Sequence, residues 1–296
     1  MGVTLTAGAD RAVVDPDRGG RLASLVAGGA ERLVTTAPPD ATDPVLAWGC
    51  YLMAPWAGRL AGAVLPWRGE RHDLTANEAP HALHGVVFDE RWTVGDAGGD
   101  SVTLSCALPP ERWPLGGTVR QRVRLRPGAL TLEASVEAGP RGMPAAVGWH
   151  PWFRRPAAGD MAVSLDADTT LITTGDLVPT GATRPVTGEE DLRGGPLLGD
   201  RRLDHPYAGV RPPAAVRWPD LELTMDFGTP IATVVVHTPP AGVCVEPQSA
   251  WPNAAVLAAA GVEGTGVAPL GPGGRLSARV EWRWGAPEGR QGVRST

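Results

Sequence analysis

Apolar and polar side chains alternate with a period of two wherever the chain is regular. In the run 276–284, Leu276, Ala278, Val280, Trp282 and Trp284 alternate with serine, arginine and glutamate side chains. Because successive side chains of a strand point to opposite sides, this run predicts a β-strand with one solvated face. The same alternation predicts strands at residues 3–7, 21–26, 102–108, 119–125, 130–136, 161–165, 221–227 and 231–237.

The segments between these strands are rich in glycine and proline. Arg126-Pro127-Gly128-Ala129 is typical of a turn and predicts a hairpin between the strands on either side of it. No amphipathic helix of three or more turns is evident, and residues 254–260 are the best candidate for a short helix. Many strands at short intervals predict an all-β fold with a large antiparallel β-sandwich rather than alternating βαβ units.

The length of 296 residues allows either one large β domain or two smaller ones. The sequence contains no internal repeat and no low-complexity linker, and the turn-rich segment 160–202 carries enough apolar residues to pack. We therefore predict one domain over residues 1–286, followed by a flexible tail at 287–296.

Composition and charge narrow the function. A net charge of −5 gives no general attraction for nucleic acid or for anionic membranes, so a small neutral molecule is the expected partner. Cys50, Cys106 and Cys244 are odd in number and show no CxxC spacing, which predicts neither a disulfide framework nor a zinc knuckle. The start of the chain does not resemble a signal peptide, and no stretch is long enough to span a membrane. These features predict a cytoplasmic protein, and none of them predicts an oligomeric state.

Three segments far apart in the sequence place ionisable side chains among rigid or aromatic neighbours. Arg59 and His84 belong to the first, His150 to the second, and Glu246 to the third. Pro247 predicts that strand pairing ends there, which would set the Glu246 carboxylate at a strand end. Taken singly, each side chain is as compatible with a structural role as with a catalytic one.

Together these segments resemble the aldose 1-epimerase, or galactose mutarotase, family over about residues 15–285. The sequence departs from the commoner family pattern at Gly58, where many members have asparagine, and at residues 248–251. The motifs that carry the resemblance are Gly58-Arg59, Leu83-His84-Gly85, His150-Pro151-Trp152-Phe153, Val245-Glu246-Pro247, and Pro272-Gly273 before the closing strand.

The resemblance implies a supersandwich of the galactose mutarotase type, with the site in a cleft on the concave face of a sheet. It also implies that Glu246 is the general base and His150 the general acid. Arg59 and His84 would help to hold the sugar, and Asp204, in the element Leu203 to Tyr207, would contact its hydroxyl groups.

The chemistry of anomer exchange suits these residue types. One group must take the proton of the C1 hydroxyl, and another must protonate the ring oxygen so that the ring opens. Glutamate and histidine, with ordinary pKa values of about 4.3 and about 6.5, can fill these roles without a metal or redox cofactor. Indole rings pack on the apolar faces of sugars, so Trp56, Trp152 and Trp251, which adjoin the three segments, are candidates to line the cleft.

Other functions remain open at this point. A related protein acting on hexose 6-phosphates or another anionic sugar would need a cationic pocket, for which Arg68, Arg71 and Arg91 are candidates. A non-catalytic sugar-binding domain would not need both an acid and a base. A zinc hydrolase built on His81 and His84 has only a two-residue spacing in its favour.

Overall fold

The computed structural model describes residues 2–287, which form 25 β-strands, one short α-helix and two single-turn 3₁₀ helices. In chain order, strands β1 to β13 are Val3–Ala7, Asp10–Asp15, Arg21–Ala27, Ala30–Glu31, Cys50–Met53, Arg59–Leu60, Val64–Trp67, Glu70–Asp73, Ala82–Leu83, Thr93–Ala97, Ser101–Ala107, Gly117–Arg126 and Ala129–Ala138. Strands β14 to β25 are Met143–Ala145, Gly148–Arg154, Ala162–Asp166, Thr169–Thr173, Pro179–Pro185, Asp204–Ala208, Arg211–Arg217, Glu222–Phe227, Thr233–His237, Gly242–Gln248, Ala268–Leu270 and Arg275–Gly285. Helix α1 is Ala254–Ala259, and the 3₁₀ helices are Ala61–Ala63 and Gly188–Glu190.

Two large antiparallel sheets form a sandwich. The first has eleven strands in the order β1-β2-β3-β5-β15-β23-β22-β19-β17-β18, with β4 paired to β3. The second has eight strands in the order β10-β11-β12-β13-β25-β21-β20-β16. One hydrophobic cluster contains buried side chains of both sheets, and Phe153 of the first meets Trp282 of the second at 5.4 Å between ring centroids. The all-β sandwich predicted from the alternation is confirmed.

The individual strand predictions are also confirmed. β12 and β13 pair along their whole length, and Arg126 lies opposite Ala129 across the predicted turn. In β25 the buried positions recur at every second residue, as the alternation around Val280 indicates. The predicted helix at residues 254–260 forms at Ala254–Ala259.

The two central strands of the first sheet, β15 and β23, are buried on both faces. Beyond the inter-sheet core, a second hydrophobic cluster that includes Tyr51, Trp152 and Cys244 covers their outer face. The prediction that Pro247 ends strand pairing is wrong, because β23 continues to Gln248 and Pro247 lies opposite Val234. Pro247 brings no backbone N–H donor of its own to the pairing, and Glu246 lies inside the sheet rather than at its edge.

Within residues 2–287, no helix has the length and apolar character needed to cross a membrane. Residues 288–296 of the predicted tail lie outside the described part of the chain.

Candidate active site

Strand register brings the candidate residues together on the outer, concave face of the first sheet. Because alternate residues of a strand share a face, paired positions on neighbouring strands form rows across the sheet. Gly148 lies opposite Gln248 and Trp152 opposite Cys244, which places His150 beside Glu246. One row across the sheet consists of Tyr51, His150, Glu246, Val235 and Pro206. The adjacent row consists of Trp152, Cys244, His237 and Asp204.

These rows form the floor of a cavity of about 710 Å³. The loops around residues 38–47, 173–177 and 239–241 supply its walls. The six residues singled out from the sequence all line it: Arg59, His84, His150, Trp152, Asp204 and Glu246. A cavity of this size is within the usual range of about 300–1,000 Å³ for small-molecule sites.

His150 and Glu246 are in direct contact at the bottom of the cavity. The imidazole Nε2 lies 3.1 Å from the carboxylate Oε1, and the two residues are 5% and 2% exposed. Gln248, two residues along the same strand, donates from its Nε2 to the other carboxylate oxygen at 3.2 Å. This amide leaves Oε1 of Glu246 facing the histidine.

Burial changes the proton affinities of both members of this pair. Loss of solvent raises the pKa of Glu246 well above its usual value, with a further contribution from the negative charge of Asp204. Burial also lowers the pKa of His150 well below its usual value, helped by His84 and His237. Both shifts favour the uncharged forms, a carboxyl group beside a neutral imidazole, over an ion pair.

The imidazole of His150 is stacked between two aromatic rings. Tyr51 lies 4.8 Å away at an interplanar angle of 22°, and Trp152 lies 5.7 Å away at 13°. This arrangement fixes the orientation of the ring and offers two π faces to a positive charge if the imidazole becomes protonated. Tyr51 was not identified from the sequence.

Tyr51 is in turn held by a buried arginine. The guanidinium of Arg21 lies 5.3 Å from the Tyr51 ring and 4.3 Å from the Trp48 ring. It donates hydrogen bonds to four backbone carbonyl groups, those of Arg18, Val45, Trp48 and Phe88. Arg21 thereby attaches the wall loop that ends at Trp48 to the sheet beneath the site.

His84 occupies a backbone conformation that few residues adopt, with a φ of 62°. Its Nδ1 accepts a hydrogen bond from the Gly58 amide at 3.2 Å, so in the neutral ring Nε2 carries the proton. Burial, together with the charge of Arg59, lowers the pKa of His84 to about 3. A Cβ at Gly58 would lie 2.5 Å from the Pro252 side chain, and the φ of Gly58 is 68°, so both space and backbone conformation favour glycine at this position of the chain.

The charged residues around the floor are largely paired. Arg59 Nη2 donates to Glu78 Oε1 at 2.8 Å, and His237 Nδ1 lies 3.5 Å from Asp204 Oδ2. Asp204 lies beside His237, whose Nδ1 has no hydrogen-bond partner within residues 2–287, and the carboxylate in contact with His150 is that of Glu246. Glu78 and His237 also line the cavity, and the sequence analysis does not identify them. His237 lies two residues after Val235 on β22, so the two side chains share one face of the sheet.

Other sequence candidates lie elsewhere. Trp56 and Trp251 line a separate small pocket, and Trp56 stacks on Trp113. His81 binds Asp176 through Nε2 at 2.7 Å and the Gly62 amide through Nδ1 at 3.1 Å, so both of its ring nitrogens are already engaged.

The arginines considered for an anion pocket lie outside the cavity. The guanidinium of Arg68 lies over the ring of Trp67, Arg71 pairs with Asp73, and Arg91 pairs with Asp17.

One group of side chains in residues 2–287 has the composition and spacing of a metal site. It consists of His150, Cys244 and Glu246, whose ligand atoms all lie within 4.8 Å of one another. His81 and His84, the pair considered from the sequence, do not belong to it.

Comparison with known proteins agrees with this architecture. A family model described as aldose 1-epimerase matches residues 1–281. The uncharacterized protein YihR of Escherichia coli K12 is 28% identical over 140 residues, which are 46% of this chain and 44% of YihR. The chain therefore matches less than half the length of this curated relative.

Two solved structures are similar over almost the whole chain. A galactose mutarotase-like protein from Clostridium acetobutylicum has a TM-score of 0.83 and 18% identity, covering 96% of this chain and 95% of that one. Galactose 1-epimerase from Lactobacillus acidophilus has a TM-score of 0.77 and 17% identity, covering 96% and 94%. At these identities the likeness establishes the fold.

Proposed function

Because the chain belongs to the aldose 1-epimerase family, we propose that it interconverts the α and β anomers of an aldose sugar. The observation that carries the proposal is the contact of 3.1 Å between His150 and Glu246 on the cavity floor. A site that only binds sugar needs hydrogen-bond donors and acceptors, but it does not need a buried acid beside a buried base. This pair therefore favours a catalyst over a binding domain.

The reaction begins with a proton shift within the pair. Transfer of the proton from Glu246 to His150 gives a carboxylate and an imidazolium, and the faces of Tyr51 and Trp152 stabilise that cation. Glu246 then accepts the proton of the C1 hydroxyl while His150 delivers a proton to the ring oxygen. The bond between C1 and the ring oxygen breaks, and the open-chain aldehyde forms.

Ring closure reverses these transfers on the other face of the aldehyde. Rotation about the C1–C2 bond presents that face to the hydroxyl that was the ring oxygen. This hydroxyl loses its proton to His150 and bonds to C1 again, while the aldehyde oxygen gains a proton from Glu246. The pair ends with the same single proton, so the cycle balances with groups of this chain alone. Each positioned acid or base contributes about 10²- to 10⁴-fold.

The other lining residues suit a sugar ring. Trp152 offers an apolar face, and Arg59, the Nε2 proton of neutral His84, and Asp204 offer donors and acceptors for hydroxyl groups.

The charge of the cavity favours a neutral substrate. Asp40, Asp43 and Asp204 line it, while Arg59, its arginine, is already paired with Glu78. Arg68, Arg71 and Arg91 lie elsewhere, so among residues 2–287 an anionic sugar would meet carboxylates and no arginine of the cavity free of a carboxylate partner. These charges disfavour hexose 6-phosphates.

We also propose a cytoplasmic location. Cys50, Cys106 and Cys244 are buried free thiols, and thiols stay reduced in the cytoplasm.

The proposal is tested by dissolving pure α-galactose or α-glucose and following the approach to anomeric equilibrium by polarimetry. We expect the wild-type protein and Cys106→Ser, whose thiol lies in the other sheet, to accelerate it equally, and glucose 6-phosphate to respond at least about 10-fold less. If no neutral aldose among galactose, glucose and xylose responds while the protein is folded, the proposed reaction is wrong.

A further inference from the structure

Cys244 lies next to the proposed acid–base pair, in the adjacent row of the same sheet face. Cys244 and Glu246 are two residues apart on β23 and so share a face, and Cys244 lies opposite Trp152, two residues from His150 on β15. Its Sγ, a nitrogen of His150 and an oxygen of Glu246 lie within 4.8 Å of one another, and all three residues are buried. The proposed reaction gives the thiol no role.

We infer that His150, Cys244 and Glu246 form a binding site for a thiophilic divalent cation such as Zn²⁺. Imidazole nitrogen, thiolate and carboxylate are the three ligand types that zinc takes in proteins, and sites with three protein ligands keep a fourth position open. Here the fourth position faces the sugar cavity. A water molecule or a sugar hydroxyl would fill it.

The distances allow this coordination with little movement. Zinc bonds of about 2.0–2.3 Å require ligand atoms roughly 3.5 Å apart. The His150 and Glu246 atoms already meet at 3.1 Å. The thiol is therefore the group that must approach, by roughly 1 Å, which a change of its side-chain torsion can supply.

The charges also favour the cation. Zinc binds cysteine as the thiolate and glutamate as the carboxylate. The thiolate and carboxylate then carry two negative charges, which cancel the charge of Zn²⁺ beside a neutral imidazole. A buried site with no net charge avoids most of the cost of burying isolated ions.

Neighbouring polar atoms support the ligands. The Gln248 amide donates to the second carboxylate oxygen of Glu246 and so orients the first, as outer-shell partners of metal ligands do. Its own Oε1 is fully buried and, within residues 2–287, has no hydrogen-bond partner. The Tyr51 hydroxyl is in the same condition above the imidazole.

One consequence rests on the proposed function. The metal would occupy the lone pairs that His150 and Glu246 need for proton transfer, so Zn²⁺ should inhibit anomer exchange and compete with the sugar. Binding of the metal itself does not depend on that reaction.

Cobalt(II) alone, added to the full chain without sugar, tests the site directly. We expect one equivalent to give an ultraviolet charge-transfer band from thiolate to cobalt, which Zn²⁺ then abolishes by displacement. Cys244→Ser should lose the band, whereas Cys106→Ser should keep it as the matched buried-thiol control. The absence of the band in the wild-type protein, or its persistence in Cys244→Ser, would overturn the inference.

Zinc affinity provides a second readout. By calorimetry, His150→Asn and Cys244→Ala should each bind Zn²⁺ about 100-fold more weakly or worse, with circular dichroism confirming that they are folded. Equal zinc affinity in wild-type protein and Cys244→Ala would also refute the site. A cobalt band in a protein that does not exchange anomers would instead contradict the proposed function and leave the metal site standing.

Discussion

Replacing His150 and Glu246 singly and together gives the most informative test of the acid–base pair. Glu246→Gln keeps the size of the side chain and its contact with Gln248 but removes the basic carboxylate. His150→Asn removes the imidazole proton. Each change should lower turnover by about 10²- to 10⁴-fold, or roughly 2.7–5.4 kcal/mol of barrier, with little change in sugar affinity.

The double variant distinguishes a pair that shares one proton from two groups that act independently. Independent groups would multiply their losses, giving about 10⁴- to 10⁸-fold. Because the two atoms lie 3.1 Å apart and the proposed reaction passes one proton between them, either substitution alone already stops the shuttle. We therefore expect the double variant to lie within about 10-fold of the slower single variant.

The assay is anomer exchange by saturation-transfer NMR, with sugar affinity measured separately by calorimetry. Multiplicative losses would show that the two residues act on the sugar independently. Near-normal exchange in folded Glu246→Gln would refute the assignment of Glu246 as the base and would require another group of the cavity to fill that role.

Three further predictions follow from the site and its support. The exchange rate should stay level through neutral pH and fall at acid pH, and the midpoint of this fall should lie below about 6.5, the ordinary pKa of histidine. The reason is that burial lowers the pKa of His150, so a second proton enters the pair only at a lower pH. A pH–rate profile from about pH 4 to about pH 9 whose midpoint lies higher would contradict this. Arg21→Met should lower the free energy of unfolding by about 3–5 kcal/mol in urea titration, because four backbone carbonyl groups, two of them in buried hydrogen bonds, lose their donor. A loss below about 1 kcal/mol would contradict that role. Exhaustive chelation should leave the exchange rate unchanged or raise it, and activity that is lost and then restored by Zn²⁺ would make the metal a cofactor rather than an inhibitor.

The sequence predicts the strands with one solvated face well. In β12, β13 and β25 the burial alternates with the residues, so the period of two is visible in the amino acids themselves. In β15 and β23 both faces are covered, and the alternation that would mark a strand disappears. The prediction that pairing ends at Pro247 rests on the missing N–H of proline, and no alternation in β23 indicates that the strand continues.

The candidate site likewise contains residues that the sequence identifies and residues that only the folded sheet brings to it. His150 and Glu246 were identified by their resemblance to family motifs, and the two strands that carry them became neighbours only in the folded sheet. Tyr51 and Cys244 join them through register between strands that are distant in sequence, which no local pattern reports. The sequence could have predicted His237, because it lies two residues after Val235 on a strand that the alternation predicts, and residues two apart on a strand share a face.

The acid–base pair is held by strands, whereas the walls of its cavity are loops around residues 38–47, 173–177 and 239–241. Loops accept substitutions and insertions that a paired, doubly buried strand does not. Selection can therefore alter which substituents the cavity admits without disturbing the atoms that move protons. Exchanging wall segments between relatives should transfer substrate preference while preserving the chemistry, which makes this fold a suitable scaffold for engineering new sugar specificity.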